Sequence, residues 1–191
     1  MKCVLGFLLT ICSQFALSQS ERLWYLEGES NYYGSSESYE AVELLYGHYF
    51  NSDKAHGFYV YGYHDSDYWS IYAGPSFSIG DVEIGIGIGE SHYDKESWRV
   101  YNIWVWYEND YLTLEVTIEY TPDEYSSYQW YHKGDLTYSV NDSLYAGLYS
   151  ERWVGTGPMV GYWLTESVAL ETIAPFIDDD YDFVVKVVFS F

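Results

Sequence analysis

Leu112-Thr113-Leu114-Glu115-Val116-Thr117-Ile118-Glu119-Tyr120-Thr121 is the stretch that decides the fold. Leu112, Leu114, Val116, Ile118 and Tyr120 fall on one side of an extended chain, and Thr113, Glu115, Thr117, Glu119 and Thr121 on the other. Side chains that change character at every second position mark a strand with unlike faces, because successive residues leave the pleat in opposite directions. A helix would scatter both sets around its circumference. The flanks agree: Asn109-Asp110 before the stretch is a tight-turn pair, and Pro122 to Ser126 after it is a polar connection.

The same alternation recurs on either side. In Val82 to Glu90, the residues Ile84, Ile86 and Ile88 alternate with Gly85, Gly87 and Gly89. At the C-terminal end Tyr181, Phe183, Val185, Val187, Phe189 and Phe191 share a face, with Asp182, Lys186 and Ser190 opposite. Gly80-Asp81 and Asn141-Asp142 are further tight-turn pairs, and Asn51 to Lys54 and Thr165-Glu166-Ser167 are longer turns. Polar connections fall at Gly34 to Tyr39, Asp65 to Asp67, Tyr93 to Ser97, Gly155-Thr156 and Ile177 to Asp180. Between these breaks the chain divides into about twelve strands of roughly ten residues, the length of a tilted membrane strand. About ten strands is the alternative, because Arg22 to Tyr33 and Gly157 to Leu164 alternate less clearly. An even count returns both termini to one side. Ala73-Gly74-Pro75 and Thr156-Gly157-Pro158 form a faint echo, each in a strand that leads to a tight turn.

Residues 1–18 read as a signal peptide. Lys2 supplies the positive start, Val4 to Ile11 is apolar but too short to span a bilayer, and Ala16-Leu17-Ser18 offers a cleavage site, with Ser20 as the alternative. Ile11 before Cys12 argues against a lipoprotein. Residues 19–191 then form one β domain, with no linker or low-complexity segment inside it. Cys3 and Cys12 both lie in the leader, so this domain has neither a disulfide nor a thiolate metal site, and it needs another source of stability, such as a closed barrel.

Composition narrows the class. The net charge of -21 repels phosphates and excludes nucleic acid as a partner. A hydrophobic content of 48% and an aromatic content of 21% exclude a disordered chain. With 24 tyrosines the mean hydropathy is still only -0.21, a mixture that suits an apolar outer face around a polar interior. No apolar run after the leader is long enough for a membrane helix.

The last strand, with Tyr181, Phe183, Val185, Val187, Phe189 and a terminal Phe191, resembles the C-terminal signal of bacterial outer-membrane β-barrel proteins. That resemblance implies an all-β, closed antiparallel transmembrane barrel in the outer membrane. It also implies outer-membrane lipids and the barrel-assembly machinery as partners. In size and strand count the chain is similar to the small oligosaccharide-specific porins. Those imply a basic lumen for acidic sugars, which the few Lys and Arg residues here do not supply.

Physics leads to the same architecture. In hydrocarbon each backbone N–H and C=O needs an internal partner, so strands must close on themselves and leave no edge. Aromatic side chains then belong near the two interfaces, with Tyr59, Tyr61, Tyr63, Trp69, Tyr120, Tyr128, Trp130 and Tyr162 as candidates. A soluble exported β-barrel around an apolar ligand is the rival, and it would turn the greasy face inward. In the membrane barrel Glu27, Glu29, Glu43, Glu83, Glu115, Glu119, Lys133, Asp135, Glu171 and Lys186 line the lumen.

A net acidic lumen has two readings. One is a narrow passive channel, porin-like, that favours small cations or neutral solutes. The other is an interior plugged by paired side chains, in a closed barrel with a structural or surface-interaction role. Hairpin logic with a loop ending near Ser127 opposes Glu115 to Lys133 and Glu119 to Gln129. Gly85, Gly87 and Gly89 would leave room for a solute or for a bulky side chain such as Trp104 or Trp106.

No catalytic chemistry stands out, and the chain is not expected to be an enzyme or to carry a cofactor. His48, His56, His64, His92 and His132 lack metal-motif spacing, and no metal is expected. Glu115 and Glu119 lie roughly 13 Å apart at strand rise, too far for a two-carboxylate glycosidase pair. The loops assigned to the outside carry Asp65, Asp67, Asp94, Glu96, Asp123, Glu124, Asp178, Asp179 and Asp180. Divalent ions could bridge these to lipopolysaccharide phosphates, and plain solubility is the alternative.

Overall fold

In a computed structural model the chain forms a single closed sheet. The structure describes residues 24–34, 39–93, 96–122, 129–177 and 181–191. The leader, Tyr128, and the loop residues Asp94, Asp123, Glu124, Asp178, Asp179 and Asp180 lie outside that set. Twelve antiparallel strands follow in order: β1 (Trp24–Gly34), β2 (Tyr39–Tyr49), β3 (His56–His64), β4 (Tyr68–Ile79), β5 (Val82–Tyr93), β6 (Glu96–Glu108), β7 (Leu112–Tyr120), β8 (Trp130–Ser139), β9 (Leu144–Glu151), β10 (Gly155–Thr165), β11 (Val168–Ile173) and β12 (Phe183–Ser190). Each strand pairs with its sequence neighbours, and β1 pairs with β12 to close the ring. Every strand therefore has two hydrogen-bonded neighbours, and no edge is left.

The turns that join them follow local chemistry. Asn109 Oδ1 accepts the backbone N–H groups of Tyr111 and Leu112 at 2.9 Å, and Asn141 Oδ1 does the same for Ser143 and Leu144. Asp65 Oδ1 holds the N–H groups of Asp67 and Tyr68, so this carboxylate shapes a turn. Gly80 has φ 62°, the left-handed value that a two-residue hairpin asks of its first turn position. Gly155-Thr156, expected as a connection, instead opens β10, and the turn sits at Arg152–Val154.

Alternation sorts the faces as the fold requires. Leu44, Ile71, Ile86, Ile88, Ile103, Ile118, Leu136, Leu148, Val160 and Leu170 are exposed on the outside. Glu119, next to the exposed Ile118, is buried inside. A soluble barrel would show the reverse.

Two expectations about detail are corrected. The β7–β8 register places Glu115 opposite Asp135, Thr117 opposite Lys133, and Glu119 opposite Tyr131. The connection is longer than hairpin logic allowed: Thr121 N–H donates to Gln129 C=O. The shift is two residues, so every side chain keeps its face while the partners change. Second, Tyr59, Tyr61 and Tyr63 do not form an interfacial girdle. They point inward on β3, while Phe58 and Val60 take the outer face. The ring with no hydroxyl goes to the outside, and the hydroxyls find polar partners within. Tyr120, Trp130 and Tyr162 do lie on the outer face, with Tyr120 and Trp130 4.7 Å apart between ring centroids.

Candidate functional site

The interior is the candidate site, and it has two halves. The proximal half lies toward both chain ends and the turns at Gly80-Asp81 and Glu166-Ser167. The distal half lies toward the opposite turns. A crossing of charged side chains separates them.

β2 and β8 stand opposite each other in the ring of twelve. Lys133 on β8 bridges the gap. Its Nζ donates to Glu43 Oε1 and Oε2 on β2 at 2.6 and 2.7 Å, and to Glu29 Oε2 on β1 at 2.8 Å. Lys186, fully buried on β12, donates to the same Glu29 oxygen at 3.2 Å and sits 4.3 Å from the Tyr149 ring centroid. Asn31 Nδ2 and the Tyr61 hydroxyl add bonds to Glu43 at 2.8 and 2.7 Å. Charges withheld from water need a counter-charge together with hydrogen bonds, and this crossing supplies both.

The distal half is packed. Tyr33, Ala41, Tyr149, Val154, Met159, Ile173 and Val184 form a buried cluster, with Tyr63 and Tyr181 against it. Glu151 stands at its margin and accepts hydroxyl bonds from Tyr131 at 2.5 Å, from Tyr33 at 3.4 Å and from Tyr149. Around the rest of this half Ser70, Ser91, Val100, Asn102 and Glu119 are buried, and the Tyr59 hydroxyl donates to Asn102 Oδ1 at 2.6 Å.

The proximal half holds a cavity of about 510 Å³. Glu27, Glu83, Glu115, Asp135 and Glu171 bring carboxyl groups to its wall, and Trp104, Trp106, Trp163 and Tyr49 bring rings. Its floor is the level of Tyr61, Tyr72, Tyr131 and Lys133. Several carboxyls are tied to the wall: Tyr49 donates to Glu83 at 2.6 Å, Tyr145 to Glu171 at 2.7 Å, and Trp104 Nε1 to Glu115 at 3.0 Å. This is the interior's recurring device. Tyr and Trp donate to carboxyl oxygens without adding positive charge, so acidic groups greatly outnumber the ammonium groups of Lys54, Lys133 and Lys186.

Of the ten residues singled out in the sequence, Glu27, Glu29, Glu43, Glu83, Glu115, Lys133, Asp135 and Glu171 border this cavity. Lys186 lies behind it at the crossing, and Glu119 is buried deeper. Sequence reading missed Glu151, although it shares a face with Tyr145 and Tyr149 on β9. It also missed Tyr61 as a carboxylate donor. Gly85 and Gly87 make room for a ring, but the ring is that of Tyr59: a Cβ on Gly85 would lie 2.6 Å from Tyr59 Cε1, and one on Gly87 would meet the hydroxyl. Trp104 is the cross-strand partner of Gly85 and packs on Tyr59 with ring centroids 5.9 Å apart. Among the described residues no three His, Cys, Asp or Glu side chains are grouped as a metal ion would need.

Solved structures resemble this chain to different degrees. One described as "Unveiling the Mechanism Behind the in-meso Crystallization of Membrane Proteins" superposes with a TM-score of 0.62 at 13% identity, covering 87% of this chain and 83% of its own. A bacterial polysaccharide outer membrane secretin aligns at 0.44 and 9% identity, over 90% of this chain and 64% of its own. A porin of Rh. blastica aligns at 0.34 and 10% identity, over 88% of this chain and 99% of its own. No family profile matches the chain, and no curated protein matches it in sequence. In fold the chain is similar to the first of these, whose description names membrane proteins.

Proposed function

We propose that the chain is an integral outer-membrane protein, exported by its leader, whose barrel is closed and presents an acidic cup at the end that carries both chain termini. The observation that carries this reading is the lumen itself. A transverse Lys133–Glu43 ion pair lies across the middle, and a packed cluster fills the half beyond it. The outward aliphatic belt supports a lipid surround, since a charge there would be unfavourable by roughly 2–4 kcal/mol near the midplane for a basic residue.

Purified protein in planar lipid bilayers tests the reading. The expected record is flat, without steady conductance steps. The second reading, a narrow passive channel for small cations or neutral solutes, is favoured by the excess of carboxyl groups along the interior. Steady cation-selective steps from the unmodified protein would establish that channel and discard the closed cup. Boiling is expected to change the protein's migration on a detergent gel, as it does for barrels that resist detergent; a soluble β protein would show no such shift.

A further inference from the structure

Connections between strands normally run over the surface, where water serves their backbone groups. The turns at Gly80-Asp81, Asn109-Asp110 and Asn141-Asp142 are exposed in this way. The β9–β10 turn, Arg152-Trp153-Val154, is not. Val154 is 2% exposed and belongs to the distal cluster, among the strand residues Tyr33, Ala41, Tyr149, Met159, Ile173 and Val184. The turn therefore bends over the lumen and puts its last side chain inside. This bend is unfavourable to the backbone. Trp153 has φ 70°, a left-handed value that crowds any side chain and is an outlier for a bulky one. Lys54 shares the region at φ 54°, but in a turn whose Asn51, Ser52 and Asp53 are exposed. Contacts, not local preference, hold Trp153 in place. Its ring stacks on Tyr131 with centroids 5.7 Å apart, and the Arg152 guanidinium lies 4.9 Å from the Trp153 centroid. Trp153 itself stays at the surface, so within the turn it is Val154 that reaches the sealed interior. One buried valine is set against one strained backbone unit, and the two effects are of the same order.

We propose that the β9–β10 turn is a movable stopper that seals the distal end of the lumen. Swung outward, it relaxes Trp153, withdraws Val154 and uncovers the surface of Tyr33, Tyr149 and Met159. The hinge falls where the ladder ends. Glu151 with Gly155 is the last β9–β10 pair, and Gly155, at φ 118°, can absorb a change in backbone angle. Packing favours two discrete positions over a continuous series, because Val154 is either among its apolar neighbours or out of them. The stopper rests on the closed-barrel reading and deepens it, since it names a part that does the closing.

Both cysteines lie in the leader, so single thiols can be placed in the barrel purified without it. Val154→Cys and Met159→Cys occupy equally sealed positions, 2% and 1% exposed, one on the turn and one on a strand. A charged maleimide is added to the folded barrel in detergent, and the two modification rates are measured. The thiol on the turn is expected to react about ten-fold faster or more, through local opening. A second comparison asks whether the turn is what seals the interior. Ala41→Cys, also buried in the cluster, is labelled alone and together with Val154→Asp, whose carboxylate is unfavourable among apolar side chains. Expelling the turn is expected to raise the Ala41→Cys rate about ten-fold. Ile173→Ala, which thins the same cluster from a strand, should leave that rate near its parent value. Heat-modified migration confirms that each variant is folded. Equal rates at the first two thiols, an Ala41→Cys thiol that Val154→Asp leaves protected, or an equal rise with Ile173→Ala would each overturn the stopper. The outcome is separable from the conductance result: steady current from the unmodified barrel discards the closed reading, whereas a silent barrel with equal rates loses only the stopper.

Discussion

Met159 and Trp163 point inward from the same strand, four residues apart, and meet opposite surroundings. Met159 is sealed in a cluster with Ile173 and Val184, whereas Trp163 borders an open cavity beside Glu171. β11 repeats the contrast, with Ile173 in the cluster and Glu171 at the cavity. One alternation thus produces two interiors. Period two decides which side chains face the axis, while the size and polarity of those side chains decide whether the space closes. The distal half is packed as a protein core, and the proximal half leaves an open cavity walled by carboxyl groups and rings.

Four changes probe that difference, from the largest expected effect to the smallest. Lys133→Ala removes the ammonium that joins the halves and leaves Glu43 and Glu29 short of their counter-charge. Breaking a buried pair on one side is expected to lower stability by about 3–5 kcal/mol, measured by urea unfolding in lipid vesicles. A negligible loss would mean that the crossing does not hold the barrel. Ile173→Ala should lower stability by about 2–4 kcal/mol if the distal half is a packed core, because the vacated space cannot collapse fully. Trp106→Ala, at the cavity wall, should perturb the same unfolding curve less, despite deleting a larger side chain. Equal losses would erase the distinction between the halves. Glu115→Gln should raise stability by up to about 1 kcal/mol, since it relieves the facing pair with Asp135. A loss instead would identify Glu115 as a structural acceptor for Trp104 alone.

Much of the fold was legible because its signal is local. Leu112 to Tyr120 shows its two faces in nine residues, and Asn109 and Asn141 place turns through bonds to their own neighbours. A closed ring then fixes which face points in, so Glu115, Lys133 and Lys186 could be assigned to the interior without coordinates. Contacts across the ring could not be read. Lys133 was expected beside Glu115, yet it reaches Glu43, ninety positions earlier in the chain, because a longer β7–β8 connection moved the register by two. The girdle assignment failed for Tyr59, Tyr61 and Tyr63 for a related reason. A tyrosine suits an interface or a carboxyl-lined interior equally well, and only the neighbours Phe58 and Val60 reveal which side is greasy.

The ladder between β1 and β12 differs from the other eleven in what it demands of synthesis. Glu27 meets Ser190, Asn31 meets Lys186, and Gly34 meets Phe183, so this ladder joins the two ends of the chain. Every other ladder can zip from a hairpin of neighbouring strands, but this one carries the longest loop closure and is expected to form last. Until then two bare backbone edges remain, which hydrocarbon does not tolerate. Lys186 also finds Glu29 only at that moment. Without β12 the ring cannot close, so the last strand in chain order is also the one on which the first depends for its second neighbour.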